Sequence, residues 1–441
     1  MKKATKINLL SFKAPYMRAF HITWMAFFLC FFGWFGIAPL MAIVREELDL
    51  TKAQIGNTII ASVAITVFAR LLIGWLCDKI GPRITYTALL LIGSIPVMLI
   101  GMAHSYETFL LFRLGIGVIG ASFVITQYHT SAMFAPNVVG TANATSAGWG
   151  NLGGGITQMV MPLIFAAIVG FGFSDAMAWR YAMVVPGVIM VGMAAVYYFF
   201  TQDTPEGNFS DIKREKKVDD GENTFLTAIK DYRVWALFLI YGACFGIELT
   251  INNIAAIYYA DNFQLDVKTA GLIAGLFGLM NLFARSLGGY FGDKAGIKNG
   301  LKGRVRFLFF MLLFEGIALV FFSRMTVLPV AIASMIVFSL FVQMSEGATF
   351  SVVPFVNKKA IGSISGIVGA GGNAGAVAAG FLFKSENISY QQALFILGIV
   401  VAVVSFAAFL VRFDAKSETD ARKEMDRHFE MEQPEEIIEM A

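Results

Sequence analysis

Twelve apolar runs divide this chain, at 20–43, 55–76, 84–103, 107–133, 140–169, 180–200, 233–258, 269–291, 304–323, 328–354, 360–383 and 390–412. About 20 such residues carry a helix through a hydrocarbon layer ~30 Å thick. In lipid every backbone polar group must bond within its own segment or a closed barrel. Continuous runs, rather than short alternating ones, select helices. Only 15% of the 441 residues are charged and 57% are apolar, too few polar groups to cover a water-soluble surface. A soluble enzyme, a secreted disulfide scaffold and a disordered chain are excluded. The net charge of +3 points to no nucleic-acid partner. Cys30, Cys77 and Cys244 lie inside apolar runs and read as small buried hydrophobes. The first run is too long for a signal-peptide core and lacks a cleavage site, so it is expected to stay as a span.

Lysine and arginine set the orientation. With the N-terminus in the cytoplasm, 24 of the 34 fall on cytoplasmic segments and 6 on outer loops. Both termini are therefore expected in the cytoplasm of a cell whose cytoplasmic membrane holds the chain as a multi-pass protein. The charged segment 201–232 is expected to link two units, 1–200 and 233–412, each of six helices. Residues 413–441 read as an acidic, solvated cytoplasmic tail.

The two units are copies. FARLLIGWLCDKIG (68–81) and FARSLGGYFGDKAG (283–296) match at eight of fourteen positions at an offset of 215. AGWGNLGGG (147–155) matches GAGGNAGAV (369–377) at an offset of 222, and GASF (120–123) echoes GATF (347–350). Parallel repeats of this kind place a substrate site between them near the membrane midplane. GWLCDKIGPR (74–83), with Asp78 and Arg83, and its partner GGYFGDKAG (288–296), with Asp293, resemble the loop motif of the major facilitator superfamily. RLGIG (113–117) fits a second motif of that superfamily. The resemblance implies an all-α membrane protein of two pseudo-symmetric six-helix bundles that rock about a central cavity.

Arg70 and Arg285 occupy matched positions, each eight residues before the loop aspartate. That is ~12 Å of helix, close to the midplane. An arginine there is costly, cannot shed its proton, and faces a cavity or a partner. Neither has a carboxylate one helical turn away, so the pair asks for an anion. A guanidinium fork suits a small planar oxyanion. The competing reading is that each pairs with a distant carboxylate. Arg113, near the start of helix 4 and unmatched in the repeat, reads as structural.

Tyr241, Phe245, Glu248 and Asn252 share one face of helix 7. Tyr241 and Phe245 are expected to flank a flat, weakly hydrated anion, and Glu248 to carry a proton unless it is structural. Asn281, one turn before Arg285, orients it or touches substrate. Glu346 is a second candidate for proton coupling, whereas Glu315 is expected at the periphery.

AGWGNLGGGITQ (147–158) resembles the nitrate signature of the nitrate/nitrite porter family, and GAGGNAGAVAAG (369–380) resembles its second copy. This resemblance implies that Arg70 and Arg285 grip nitrate or nitrite, that Phe123 and Phe245 flank it, and that Tyr241 hydrogen-bonds near it. FGIELTINN (245–253) resembles the proton-coupled, assimilatory members. Gly150, Gly153, Gly154, Gly371, Gly372 and Gly375 are expected at close, sliding helix contacts. Asn151 and Asn373 either bond substrate or satisfy backbone groups. The G-x-G-x-x-G strings follow no strand, so they do not signal a dinucleotide. The four histidines lack metal spacing, and no cofactor, metal or nucleophile–base set is expected.

The sequence thus reads as a monomeric secondary transporter, not an enzyme, with nitrate or nitrite, protons and the lipid bilayer as its partners. Nitrate:proton symport is favoured over nitrate/nitrite exchange. A carrier of another small anion, such as a carboxylate, and a transporter-like nitrate sensor are the rival readings.

Overall fold

The computed structural model describes residues 3–134, 138–211, 224–357 and 361–423. Among the described residues the regular elements are helices, joined by turns and loops with two isolated bridges. The first six spans are α1 (Tyr16–Phe35), α2 (Lys52–Ile80), α3 (Pro82–Leu99), α4 (Tyr106–Met133), α5 (Val139–Gly170) and α6 (Asp175–Phe200). The second six are α7 (Tyr232–Phe263), α8 and α9 within Val267–Ser323, α10 (Leu328–Phe355), α11 (Ile361–Lys384) and α12 (Tyr390–Leu410). α8 and α9 form one helical stretch of 57 residues, broken where Asn299 and Gly300 leave helical geometry. The centre of the 201–232 segment (212–223) and the tail beyond 423 lie outside the described residues. The end of that segment is a short helix, Thr224–Lys230.

Local chemistry sets the starts. Thr51, Ser105 and Ser389 form reciprocal capping boxes before α2, α4 and α12, and Asp266 caps α8. The two halves repeat one device at the turns α2–α3 and α8–α9. Gly81 (φ +87°) and Gly300 (φ +66°) adopt left-handed geometry that a side chain resists. In each case a carboxylate from just after the last helix of that half fills the space beside the glycine. Asp203 accepts from the Arg83 N–H at 2.8 Å, and Glu418 accepts from the Leu301 N–H at 2.9 Å. Both acids satisfy helix N-termini that would otherwise be unpaired.

Within the halves α5 packs on α1 and α11 on α7; between them α2 meets α11 and α5 meets α8. Large apolar side chains such as Ile92, Phe199 and Val403 point outward, as lipid-facing residues must. Contacts between the halves are uneven along the helices. At the end where α1 finishes and α2 begins, Arg45 bonds Asp261 at 3.1 Å. There Lys52 donates to the Ser385 and Ile388 carbonyls at 3.0 and 2.6 Å. At the opposite end the ion pairs Arg233–Asp231 and Arg304–Asp293 stay within one half.

Helix breaks mark the middle. α4 tightens to a 3-10 turn at Val118–Ala121, directly before Phe123. α8 does the same at Met280–Leu282, three residues before Arg285. Ile119, Gly120 and Ala121 of the first turn and Asn281 of the second are buried, while Leu282 and Phe283 point outward.

Candidate functional site

α2, α4, α7, α8, α10 and α11 converge on a fully buried cage. Arg70 on α2 donates Nη1 to the Gly369 carbonyl of α11, across the two halves. Its Nε and Nη2 have no hydrogen-bond partner among the described residues. Its guanidinium carbon stands 5.1 Å from the Phe123 ring centre and 5.4 Å from that of Phe245. Arg285 approaches the same two rings, at 5.9 and 6.0 Å. Two cations from opposite halves thus share one aromatic slot.

The rings form a layered set. Tyr241 and Phe245 stack at 5.1 Å, and Phe123 lies nearly parallel to Phe245 at 6.1 Å. A flat anion sandwiched between rings needs about 7–8 Å, two contact distances. The slot between Phe123 and Phe245 is therefore at least ~1 Å too narrow in this conformation. Phe350 closes the slot edge-on, 5.7 Å from Phe123 and 5.1 Å from Tyr241. Phe350 was absent from the sequence candidates, although GATF against GASF pairs it with Phe123 in the repeat.

The sequence argument left both arginines without a carboxylate; among the described residues an ion pair is formed by Arg285 and not by Arg70. Arg285 is paired from a neighbouring helix: Nη1 contacts the Glu346 carboxylate, with Glu248 at 3.8 Å, and Nη2 donates to Tyr241 Oη at 2.8 Å. Scanning one helical turn misses such a partner because α10 supplies it from elsewhere in the chain. Glu248 is cradled by Asn151 of α5 at 3.0 Å and Asn281 of α8 at 2.7 Å. Both asparagines spend an amide on Glu248, and Asn281 does not bond Arg285. Asn373 donates to the Val63 carbonyl of α2 at 3.3 Å, satisfying backbone across the halves.

Most of the signature glycines pack helices inside each half. A methyl group at Gly150 would overlap the Phe27 ring of α1, and one at Gly372 the Phe245 ring of α7. Gly153 lies against Phe28, Gly371 against Phe238 and Gly375 against Gly242. Close contacts across the two halves fall on Gly154, beside Asn252, and on Gly155, whose backbone meets Gly278 of α8. Full-length helix pairing, invisible in a local motif, decides which neighbour a glycine admits.

Of the loop residues, Arg83 donates to the Tyr198 carbonyl at 3.1 Å and Asp293 pairs with Arg304; the Asp78 side chain lies outside the described residues. Arg113 is fully buried and bonds Trp34 O, Ser62 Oγ and, across the halves, Asn253 Oδ1 at 3.1 Å. Glu315 is also fully buried, contrary to its expected peripheral place. α12 covers that face of α9 by packing Gly398 and Ala402 against Gly316.

Residues 23–354 and 237–434 match the Major Facilitator Superfamily. The high affinity nitrate transporter 2.5 of Arabidopsis thaliana is 41% identical over 414 residues, covering 93% of this chain and 82% of that protein. The nitrate/nitrite transporter NrtP of Picosynechococcus sp. is 31% identical, over 83% of this chain and 84% of that protein. Among solved structures, an inward-facing bacterial homolog of the human lysosomal transporter Spinster superposes with a TM-score of 0.71 at 15% identity, over 93% of this chain and 99% of that one. That likeness establishes the fold. The helices, the paired arginines, the repeated glycine–asparagine segments and these relatives converge: the chain belongs to the Major Facilitator Superfamily and, within it, to the nitrate/nitrite porter family.

Proposed function

We propose that this protein carries nitrate, and nitrite as a second planar anion, across the cytoplasmic membrane by alternating access, together with protons. The observation that carries the reading is Arg70: a buried permanent cation with two unpartnered donors beside an aromatic slot. A buried charge of this kind is stabilised by an anion that brings acceptors with it. Nitrate is flat, singly charged and weakly hydrated, which fits a fork between ring faces. The relatives named above are a nitrate transporter and a nitrate/nitrite transporter.

Proton coupling follows from competition for Arg285. Nitrate and the Glu346 carboxylate seek the same guanidinium, and a displaced carboxylate is tolerated in a dry site when it takes up a proton. Purified monomer in liposomes with an inside-negative potential tests this. Nitrate entry that needs an inward proton gradient and no internal anion supports symport. Entry only against internal nitrite replaces symport with exchange. Absence of nitrate movement in both would remove the nitrate reading and leave another small anion.

We place the Arg45–Asp261 end outside and both termini in the cytoplasm, so the outer gate is the fastened one. Arg45 and Asp261 are each about one-third exposed, so the pair is worth about 1 kcal/mol or less. Asp261→Asn should therefore change uptake by less than about fivefold. Cysteines at both positions, joined by a short bifunctional maleimide, should stop uptake almost completely. Full uptake by the joined protein would mean that this end does not open.

A further inference from the structure

The segment before α1 has no part in the cage, yet it is built. Lys3 Nζ donates to the Ser131 carbonyl at 2.7 Å and the Ala4 N–H to the Met133 carbonyl at 3.0 Å, so its start is fastened to the end of α4. It then turns on Asn8. The Leu10 N–H donates to Asn8 Oδ1 at 3.1 Å, the Ser11 N–H to the Asn8 carbonyl at 2.9 Å and the Lys13 N–H to Ser11 Oγ at 3.3 Å. The tip of this turn is apolar and bare: Leu10 is 94% exposed and Phe12 64%.

The depth of the tip follows from α1. The Phe12 ring stacks on that of His21 at 4.2 Å. His21 lies six residues before Phe27, whose ring is 5.9 Å from that of Phe123 in the cage. Six residues are ~9 Å of helix, and the hydrocarbon layer extends ~15 Å from its midplane. Phe12 is thus level with lipid tails. Met25, one turn beyond His21 on α1, is exposed on the same flank. Backbone at that depth must bond internally, as the N–H groups of Leu10, Ser11 and Lys13 do. The flanking charges are of one sign. Lys6 and Lys13 are exposed, five lysines and arginines precede residue 19, and the first acid of the chain is Glu46.

Resting on the cytoplasmic placement of the termini, we propose that residues 3–13 form a wedge that seats Leu10 and Phe12 in the cytoplasmic leaflet and recognises anionic lipid headgroups through Lys6 and Lys13. Leaving water stabilises the two apolar side chains in proportion to the area buried. Each lysine near an anionic surface strengthens the attachment about fivefold.

The test uses the full chain with Leu10→Cys carrying an environment-sensitive nitrobenzoxadiazole dye, in vesicles of phosphatidylcholine alone or with added phosphatidylglycerol. Cys30, Cys77 and Cys244 are buried and escape the label. The dye should emit as in an apolar medium, and more strongly so with phosphatidylglycerol. Adding Lys6→Gln and Lys13→Gln should weaken the attachment about 25-fold and remove the response to phosphatidylglycerol. Molar salt should remove it too with both lysines in place, because the screening length falls to ~3 Å. Water-like emission in both kinds of vesicle would overturn the proposal and leave the surface to a soluble partner. Apolar emission indifferent to phosphatidylglycerol, to salt and to both lysines would overturn the recognition of anionic lipid. Failure of the placement is separate: a membrane-impermeant maleimide would then label Leu10→Cys from outside intact cells.

Discussion

Arg70→Lys should lower nitrate uptake about a hundredfold at equal expression, although the charge is kept. A lysine reaches the Gly369 carbonyl but offers a point charge where Arg70 has a planar fork with Nε and Nη2 still unspent. A hydrogen bond to a charged group contributes ~1.5–3 kcal/mol. Losing one directed arm costs about 2.8 kcal/mol, which is roughly 100-fold. The flat guanidinium also lies over the Phe123 and Phe245 rings, and an ammonium covers less of them. Monodisperse protein with nitrate uptake within a few fold of wild type would show that Arg70 does not grip the anion. The matched Arg285 is less clean as a test, because its replacement also strands Glu346 and frees Tyr241.

Much of this was legible in the sequence. Span length and repeat matching depend on local pattern, so the twelve helices and the equivalence of Arg70 with Arg285 could be read directly. The aromatic slot was legible in part: Tyr241 and Phe245 share a helical face, while Phe123 joins them from the other half. What the sequence hid is pairing between distant helices. Glu346 reaches Arg285 from 61 residues away, and Asn151 reaches Glu248 from 97. Glu315 was expected at the periphery, and its burial too comes from helices distant in the chain. Charge state in such a site follows from which donors face a carboxyl, and that is a property of helix packing.

Packing of that kind sets the second large effect. Gly372→Ala should lower the melting temperature and reduce nitrate uptake at least tenfold, whereas Gly366→Ala, on the same helix, should leave both intact. A methyl group at Gly372 would overlap the Phe245 ring, while one at Gly366 meets nothing within 4 Å. Overpacking a filled interior costs ~1–3 kcal/mol, and alanine in an open helix position gains up to about 1 kcal/mol over glycine. The damage at Gly372 is directed. Phe245 stacks on Tyr241, whose hydroxyl accepts from Arg285, so a ring pushed aside disturbs the slot and one of its cations together. The repeat supplies an internal check. Gly150→Ala meets Phe27, which lies 5.9 Å from Phe123 on the other wall, and should cause a loss of the same order. Equal uptake by the Gly372 and Gly366 variants would mean that the signature glycines do not set the ring positions. A matched loss at Gly150 and Gly372 would mean that each half seats its own aromatic wall by letting one helix close on its neighbour.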